Sequence, residues 1–276
     1  MKIEDFTFVI TTFNSENTIF ECLEKLPKES KKIILENSGN KNLKNSLESN
    51  FENLHCYLMN ENLGFGKANN FGIKKTKTKY IFILNPDVRF EDNSFENIIE
   101  IIKNEEFSIA APINIDEIGK FKFNQNKVLE VNYVKGFAMI MKTSEVINNL
   151  FDENIFLYLE EIDLCKRFKK KNGRIILIDV PVKHLGGLSH GSRNDIEMEK
   201  SRNWHWMWSK FYYNKKYYGY FYSFFLLLPS FLSSIIKFLL YKIIGNQKKK
   251  TIYKMRLLGL INSYMLRKSF YRPYKN

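Results

Sequence analysis

The last quarter of the chain contains no acidic residue. From Trp204 to Asn276 there are 14 lysines and arginines and not one aspartate or glutamate, whereas residues 1–203 carry 29 basic and 30 acidic side chains. The net charge of +13 therefore belongs to the tail. The nearly neutral front offers no basic groove for nucleic acid, so no nucleic-acid partner is expected. Cysteine is scarce as well. Cys22, Cys56 and Cys165 form no CxxC pair and no zinc-like spacing, which argues against a disulfide framework and suits small buried hydrophobes in a reducing compartment. A signal peptide wants a basic start and a long apolar stretch; Met1-Lys2-Ile3-Glu4-Asp5 instead puts two acids before a short one, so export is not expected. There is no internal repeat and no low-complexity linker.

What is present is enough for one large α/β domain and an appendage: 276 residues, 44% of them hydrophobic. Phe6–Thr12, Lys32–Glu36, His55–Met59 and Tyr80–Leu84 read as strands, the first and last as apolar runs buried on both faces. Between and after them, helices are expected from Glu16 (capped by Ser15) to about Leu26, from Gly66 to Thr76, and from about Asn93 to Lys103. Strands separated by helices predict right-handed βαβ units and a mostly parallel sheet flanked by helices. Farther on, Ala138–Met141 and Arg174–Asp179 read as strands, with a helix at Leu157–Lys171 that stops near Gly173. The expected division is 1–203 for this domain and 204–276 for a basic, aromatic-rich helical tail. In that tail, Tyr217–Ile236 is 20 residues long without a charge, the length of a membrane span. Pro229, Gly219, Lys237 and Lys242 speak against spanning, and Thr251–Phe270 has the pattern of an interfacial helix. Spanning the bilayer and lying in its surface both remain open.

Ligands in such sheets bind beyond the carboxyl ends of the strands, and polar clusters fall there: Thr12-Phe13-Asn14, Glu36-Asn37 and Asn85-Pro86-Asp87. A carboxylate at Asp87 can hold Mg²⁺ or Mn²⁺ against a diphosphate, because hard cations prefer oxygen; an ordinary Pro-Asp turn explains the same residues. The stretch Asn60–Gly72 is rich in glycine and asparagine, which lets backbone approach a ligand, but it lacks the Gly-Lys-Ser/Thr ending of a P-loop. Glu160, Glu161 and Asp163 crowd beside aromatics; one of them can serve as a general base, or they form a solvated helix start with Asp163 and Arg167 paired at i,i+4. His184, before a diglycine, is a candidate metal ligand. Trp204-His205-Trp206-Met207-Trp208 reads as an aromatic interface or a packing stripe rather than a cofactor box.

Taken in order, these motifs resemble the family 2 glycosyltransferases with the GT-A fold, in particular the bacterial rhamnosyltransferase-like branch. The residues that carry the resemblance are Thr11-Thr12-Phe13-Asn14; Glu36-Asn37-Ser38-Gly39; Asn62, Gly64, Phe65, Asn70 and Gly72; Leu84–Asp87; Gly136; Phe151-Asp152-Glu153; Phe156 to Arg167; and His184, Gly187 and Ser189. The resemblance implies that Thr11, Phe13, Asn14 and Glu36 line the pocket for the nucleotide base and ribose. Asn62, Gly64, Asn70 and Gly136 would lie on the donor side. Asp87 and His184 would hold a divalent metal, Mg²⁺ or Mn²⁺, on the diphosphate, with Asn85 at the first, uncharged position of a DxD-type motif. Glu161, or Asp163 in its place, would be the base on the acceptor hydroxyl; Glu36 and Glu161 both stand where the family usually has aspartate.

The activity so implied is inverting transfer of a sugar, with rhamnose the branch's example, from a nucleoside-diphosphate donor to a lipid-linked or membrane-anchored glycan. The expected location is the cytoplasmic face of the inner membrane, on anionic lipid, with self-association open. A catalytically inactive sugar-nucleotide or glycan-binding subunit and a basic membrane adaptor are the alternatives.

Overall fold

The computed structural model describes residues 1–187 and 195–274, and Ser189 and His190 lie outside them. The chain forms two compact units, one of Met1–Asp152 with Glu161–Arg193 and one of Glu153–Glu160 with Asn194–Asn276.

The first unit opens with β1 (Phe6–Thr12), α1 (Glu16–Glu24), β2 (Lys31–Glu36), α2 (Lys41–Asn50), β3 (Leu54–Leu58), α3 (Phe65–Lys75) and β4 (Tyr80–Leu84). It continues through β5 (Val88–Arg89), α4 (Ser94–Ile102), β6 (Ile109–Asn114), β7 (Val128–Glu130), β8 (Ala138–Lys142), α5 (Thr143–Val146), α6 (Glu160–Lys170) and β9 (Ile175–His184). Among the described residues the strands join in one nine-stranded sheet, in the order β3-β2-β1-β4-β8-β6-β9-β5, with β7 also on β9. The strands β3, β2, β1 and β4 are all parallel. Beyond β4 the sheet is mixed: β8 runs antiparallel to β4 and β6, β6 parallel to β9, and β5 and β7 antiparallel to β9.

The alternation of side chains along each strand builds a core on both faces. Phe6, Phe8 and Ile10 pack with Phe82 and Ile140 on one side, while Val9 packs with Ile81, Ile83 and Met139 on the other. Gly72 in α3 lets that helix sit close: a Cβ there would lie 2.5 Å from Cγ1 of Val9. The last glycine of the Asn60–Gly72 stretch is thus a helix-to-sheet packing residue rather than part of a ligand loop. Ser15 also differs from expectation. Its hydroxyl accepts from the Phe13 amide at 3.0 Å and makes no cap bond to α1. It therefore ties the turn after β1 in place of capping the helix.

The second unit is three helices: α7 (Ile196–Tyr218), α8 (Tyr220–Ile243) and α9 (Gln247–Tyr264). Asp195 caps α7 by accepting from the amides of Glu197 and Met198. Gly219, at φ +87°, turns the chain from α7 to α8, a backbone region open chiefly to glycine. Trp204, Met207, Trp208 and Phe211 are buried, so the tryptophan-rich run is indeed a packing stripe. A Cβ at Gly259 would overlap the Trp204 carbonyl oxygen, so α7 and α9 approach closely only because that residue is glycine. His205 is buried against Phe156, their rings stacked 4.5 Å apart, and burial pushes its imidazole down to about 3. It is a neutral core histidine.

Candidate functional site

The carboxyl ends of the four parallel strands set out the site. Where β1 ends, Phe13 and Asn14 are half-buried and Asn14 takes a left-handed φ of +51°. Thr11 places a buried hydroxyl oxygen that has no hydrogen-bond partner. At the end of β2, Glu36 is fully buried and both of its carboxylate oxygens are engaged locally. Oε1 accepts from the Ser38 amide at 3.0 Å and from the Ser38 hydroxyl, and Oε2 from the Asn40 amide at 2.7 Å. The extra methylene relative to aspartate is absorbed in holding this turn. Asn37 continues inward, its amide donating to the Thr12 carbonyl at 2.9 Å. After β3, the Asn62 side chain accepts from the Gly64 amide at 3.0 Å. Gly64 itself sits at φ +78°, directly before α3.

Asn70 is committed to structure. Its amide nitrogen donates to the Phe151 carbonyl at 3.0 Å and its oxygen accepts from the Phe151 amide at 2.8 Å, both inside the fold. The side chain binds the backbone of Phe151 to α3.

After β4 the chain turns through Asn85-Pro86-Asp87 into β5, which pairs with the end of β9 so that Val88 stands opposite His184. This pairing is what brings Asp87 and His184, 97 apart in sequence, together. Asp87 is fully buried and, among the described residues, neither of its carboxylate oxygens accepts a hydrogen bond; Oδ1 lies 3.4 Å from Nε2 of His184. The Asn85 amide nitrogen is also 3.4 Å from that imidazole nitrogen. A buried carboxylate without hydrogen-bond donors is costly, and its free lone pairs suit a hard divalent cation. Among the described residues no three His, Cys, Asp or Glu side chains gather into a full ligand set. A cation held here would therefore draw its other ligands from substrate oxygens and water, as magnesium commonly does.

Three residues that sequence reasoning missed hold this pair in place. Phe137 stacks on the His184 ring at 4.6 Å and 9°, and its carbonyl accepts from the Asn85 amide at 2.9 Å. Asn114 accepts from the His184 amide at 3.3 Å. Arg89 donates to the Pro86 carbonyl at 3.1 Å, to the Thr18 carbonyl at 2.9 Å and to Glu21 at 2.7 Å, which fastens the turn to α1. In the sequence each is an ordinary residue; only the pairing of distant strands reveals its role.

Next to Phe137, Gly136 abuts the helix that bears the candidate base: a Cβ on it would touch Cβ of Glu161 at 3.4 Å. Glu161 is half-buried, and burial pushes its carboxyl above the usual range, against a smaller lowering by its own and the Ile162 amides. A carboxyl raised by desolvation is suited to taking up a proton. Asp163, two residues on, is fully buried and bound to Nε of Arg167 at 2.8 Å, while Arg167 also donates to the Leu150 carbonyl at 2.7 Å. Of the two acids, Asp163 is engaged in an ion pair. Tyr158 and Leu159, just before α6, both take φ +71°, a conformation costly for such side chains and found most often where function demands it.

The four parallel strands, the mixed sheet beyond them and the flanking helices make a fold of the GT-A type. The model of glycosyl transferase family 2 matches residues 7–159, and the chain belongs to that family. It is 24% identical over 236 residues to the rhamnosyltransferase WbbL of Escherichia coli (strain K12), a match covering 71% of this chain and 88% of that one. Among solved structures it is similar to the mannosyltransferase PcManGT from Pyrobaculum calidifontis in complex with GDP-Man and Mn²⁺, with a TM-score of 0.57 at 10% identity over 94% of this chain and 86% of the other. It is also similar to S. aureus TarS 1–349 in complex with UDP-GlcNAc, with a TM-score of 0.53 at 14% identity over 97% and 93% of the two chains.

Proposed function

We propose that this glycosyltransferase is a metal-dependent, inverting enzyme that moves a sugar from a nucleoside-diphosphate donor to a lipid-linked or membrane-anchored glycan at the cytoplasmic face of the inner membrane. The observation that carries the reading is the Asp87 carboxylate, buried without a hydrogen bond and 3.4 Å from the His184 imidazole. Asp87 and His184 would hold Mg²⁺ or Mn²⁺, and a divalent cation bound there would offset the charge that develops on the departing diphosphate. The Asn85 amide adds a neutral donor at the same place. Thr11, Phe13, Asn14 and Glu36 shape the nucleoside end of the donor cleft, Glu36 by holding the β2–α2 turn. Asn62, Gly64, Asn70 and Gly136 fix the backbone around the sugar.

Glu161 is the general base and Asp163 keeps α6 in place through Arg167. The Glu161 carboxylate takes the proton of the acceptor hydroxyl as that oxygen bonds to the anomeric carbon. On the opposite face the bond from that carbon to the diphosphate oxygen breaks, and its electron pair leaves with the nucleoside diphosphate. One such displacement inverts the anomeric centre. The likeness to a rhamnosyltransferase favours deoxythymidine-diphospho-rhamnose as donor.

Transfer and donor hydrolysis assayed with Mn²⁺ or Mg²⁺ across a panel of nucleoside-diphosphate sugars test this. One donor should be consumed in a metal-dependent way, and Asp87→Ala should abolish the reaction while remaining folded. Wild-type turnover by that variant removes Asp87 from its role, and inertness toward every donor, with the metal present, favours a binding subunit.

A further inference from the structure

The second unit leaves one apolar surface uncovered. The helix α8 packs one stripe, Ser223, Leu227 and Ser234, against its neighbours. The opposite stripe is bare: Phe221, Phe225, Leu232, Ile236, Leu239 and Ile243 are all exposed, Phe221 by 77% and Ile243 by 85%. At 1.5 Å per residue the helix carries this strip for about 36 Å. A soluble surface does not tolerate so long an apolar strip without a use.

The charges around it identify the occupant. Residues 204–276 supply 14 cations and no anion. A second copy of the same surface would bring like charge against like, whereas anionic lipid is both apolar within and negative at its face.

The packing also decides how the helix meets the bilayer. α9 folds back along α8 as a hairpin: Tyr264 lies against Phe224 and Phe231, the Tyr220 hydroxyl donates to the Tyr264 carbonyl at 3.0 Å, and Tyr241 stacks on Tyr253 at 5.6 Å. Lys237 and Arg256 both stand over the Tyr253 ring, at 5.3 and 5.2 Å. Were α8 to span, this partner would draw Lys254 and Arg256 into hydrocarbon, where each is strongly disfavoured. Lys237, the one cation in the middle of the helix, is turned toward Tyr253.

We propose that the outward face of α8 docks on an anionic bilayer with the α8–α9 hairpin lying flat in the interface, its cations among the headgroups. This rests on the membrane-side part of the proposed function and specifies the surface, the lipid charge and the in-plane orientation.

The test uses the full chain with two kinds of vesicle, phosphatidylcholine alone and phosphatidylcholine with phosphatidylglycerol. Sedimentation should show strong binding only to the second. Phe225→Asp with Ile236→Asp should abolish it. Replacing Lys248, Lys249 and Lys250 with Gln should weaken it about a hundredfold, each surface cation contributing a factor of about five. Orientation is read by a membrane-impermeant maleimide on Tyr218→Cys and Gln247→Cys, at the two ends of α8. The native Cys22, Cys56 and Cys165 are buried with thiols pushed up to about 12 by that burial, so background labelling is low. Both introduced cysteines should label from outside sealed vesicles. Protection of one until the vesicles are lysed overturns the in-plane orientation. Absence of vesicle binding, or a dimer that the double aspartate variant splits, overturns the docking surface. Donor hydrolysis in detergent is scored separately: hydrolysis without vesicle binding rejects the surface and keeps the enzyme, and vesicle binding without hydrolysis does the reverse.

Discussion

Asn70 grips Phe151 by both ends of its amide, donating to the backbone carbonyl at 3.0 Å and accepting from the backbone N–H at 2.8 Å. The two residues are 81 apart in sequence and both are buried. Asn70→Ala leaves a peptide N–H and a C=O inside the fold with no partner, at a cost of about 2–4 kcal/mol. For a chain of this size the melting temperature should fall by roughly 5–15 °C. Thermal unfolding measures the loss, and nucleotide affinity well below the melting point should stay near that of the wild type. An unchanged melting temperature with lost nucleotide binding would contradict the clamp.

Arg89 plays a comparable part for the Asn85–Asp87 turn, the proposed metal site, joining the Pro86 and Val88 carbonyls to Thr18 and Glu21 of α1. Its guanidinium is engaged by these four partners, so its loss should loosen the turn that carries Asp87 without removing Asp87 itself. Arg89→Met should raise the metal concentration for half-maximal activity about tenfold and leave activity at saturating metal largely intact, the usual pattern for residues that orient a ligand. Arg89→Lys should be intermediate, because lysine keeps the charge but not the fork. A metal titration of activity decides; a loss that excess metal cannot restore would assign Arg89 a different role.

Burial raises the carboxyl of Glu161, the proposed base. The folded state holds the proton more tightly than the unfolded chain, so the contribution is fully present below the ordinary carboxylate range and is lost as pH rises through the raised value. Glu161→Gln carries a neutral group at every pH. It should therefore be inactive yet more stable than the wild type at neutral pH, with the difference shrinking as the solution is acidified. Paired denaturant titrations across that range check the sign. Greater stability of the wild type at neutral pH would show that the ionised form is the favoured one.

Much of this architecture was legible in the sequence because its strands are strongly patterned. Phe6–Thr12 and Tyr80–Leu84 are apolar runs bounded by turn residues, and both strands end at the expected positions. Lys41–Asn50 was not anticipated as a helix: it is mostly polar, and only Leu43 and Leu47 are buried. Ile109–Asn114, with a proline and two alanines, gives no strand signal by itself and becomes one through its neighbours β8 and β9. In the site, Asp87 and His184 were each visible as ambiguous single residues. Their pairing depends on β5 meeting β9, a contact no local pattern encodes. Glu36 and Asn70 stood out by motif, but whether such a side chain faces ligand or holds backbone is decided by hydrogen bonds across the fold.

The account depends most on Asp87 and His184 bringing a divalent cation to a nucleoside diphosphate. The most direct measurement is thermal stabilisation of the protein by a nucleoside diphosphate with and without Mn²⁺, for the wild type, Asp87→Asn and His184→Ala. Ligands that bind only the folded state raise its stability by mass action. The wild type should be stabilised by nucleotide plus metal well beyond the sum of either alone, and both variants should lose that synergy while folding normally. Equal stabilisation of wild type and Asp87→Asn, or nucleotide binding indifferent to metal, would contradict the central claim.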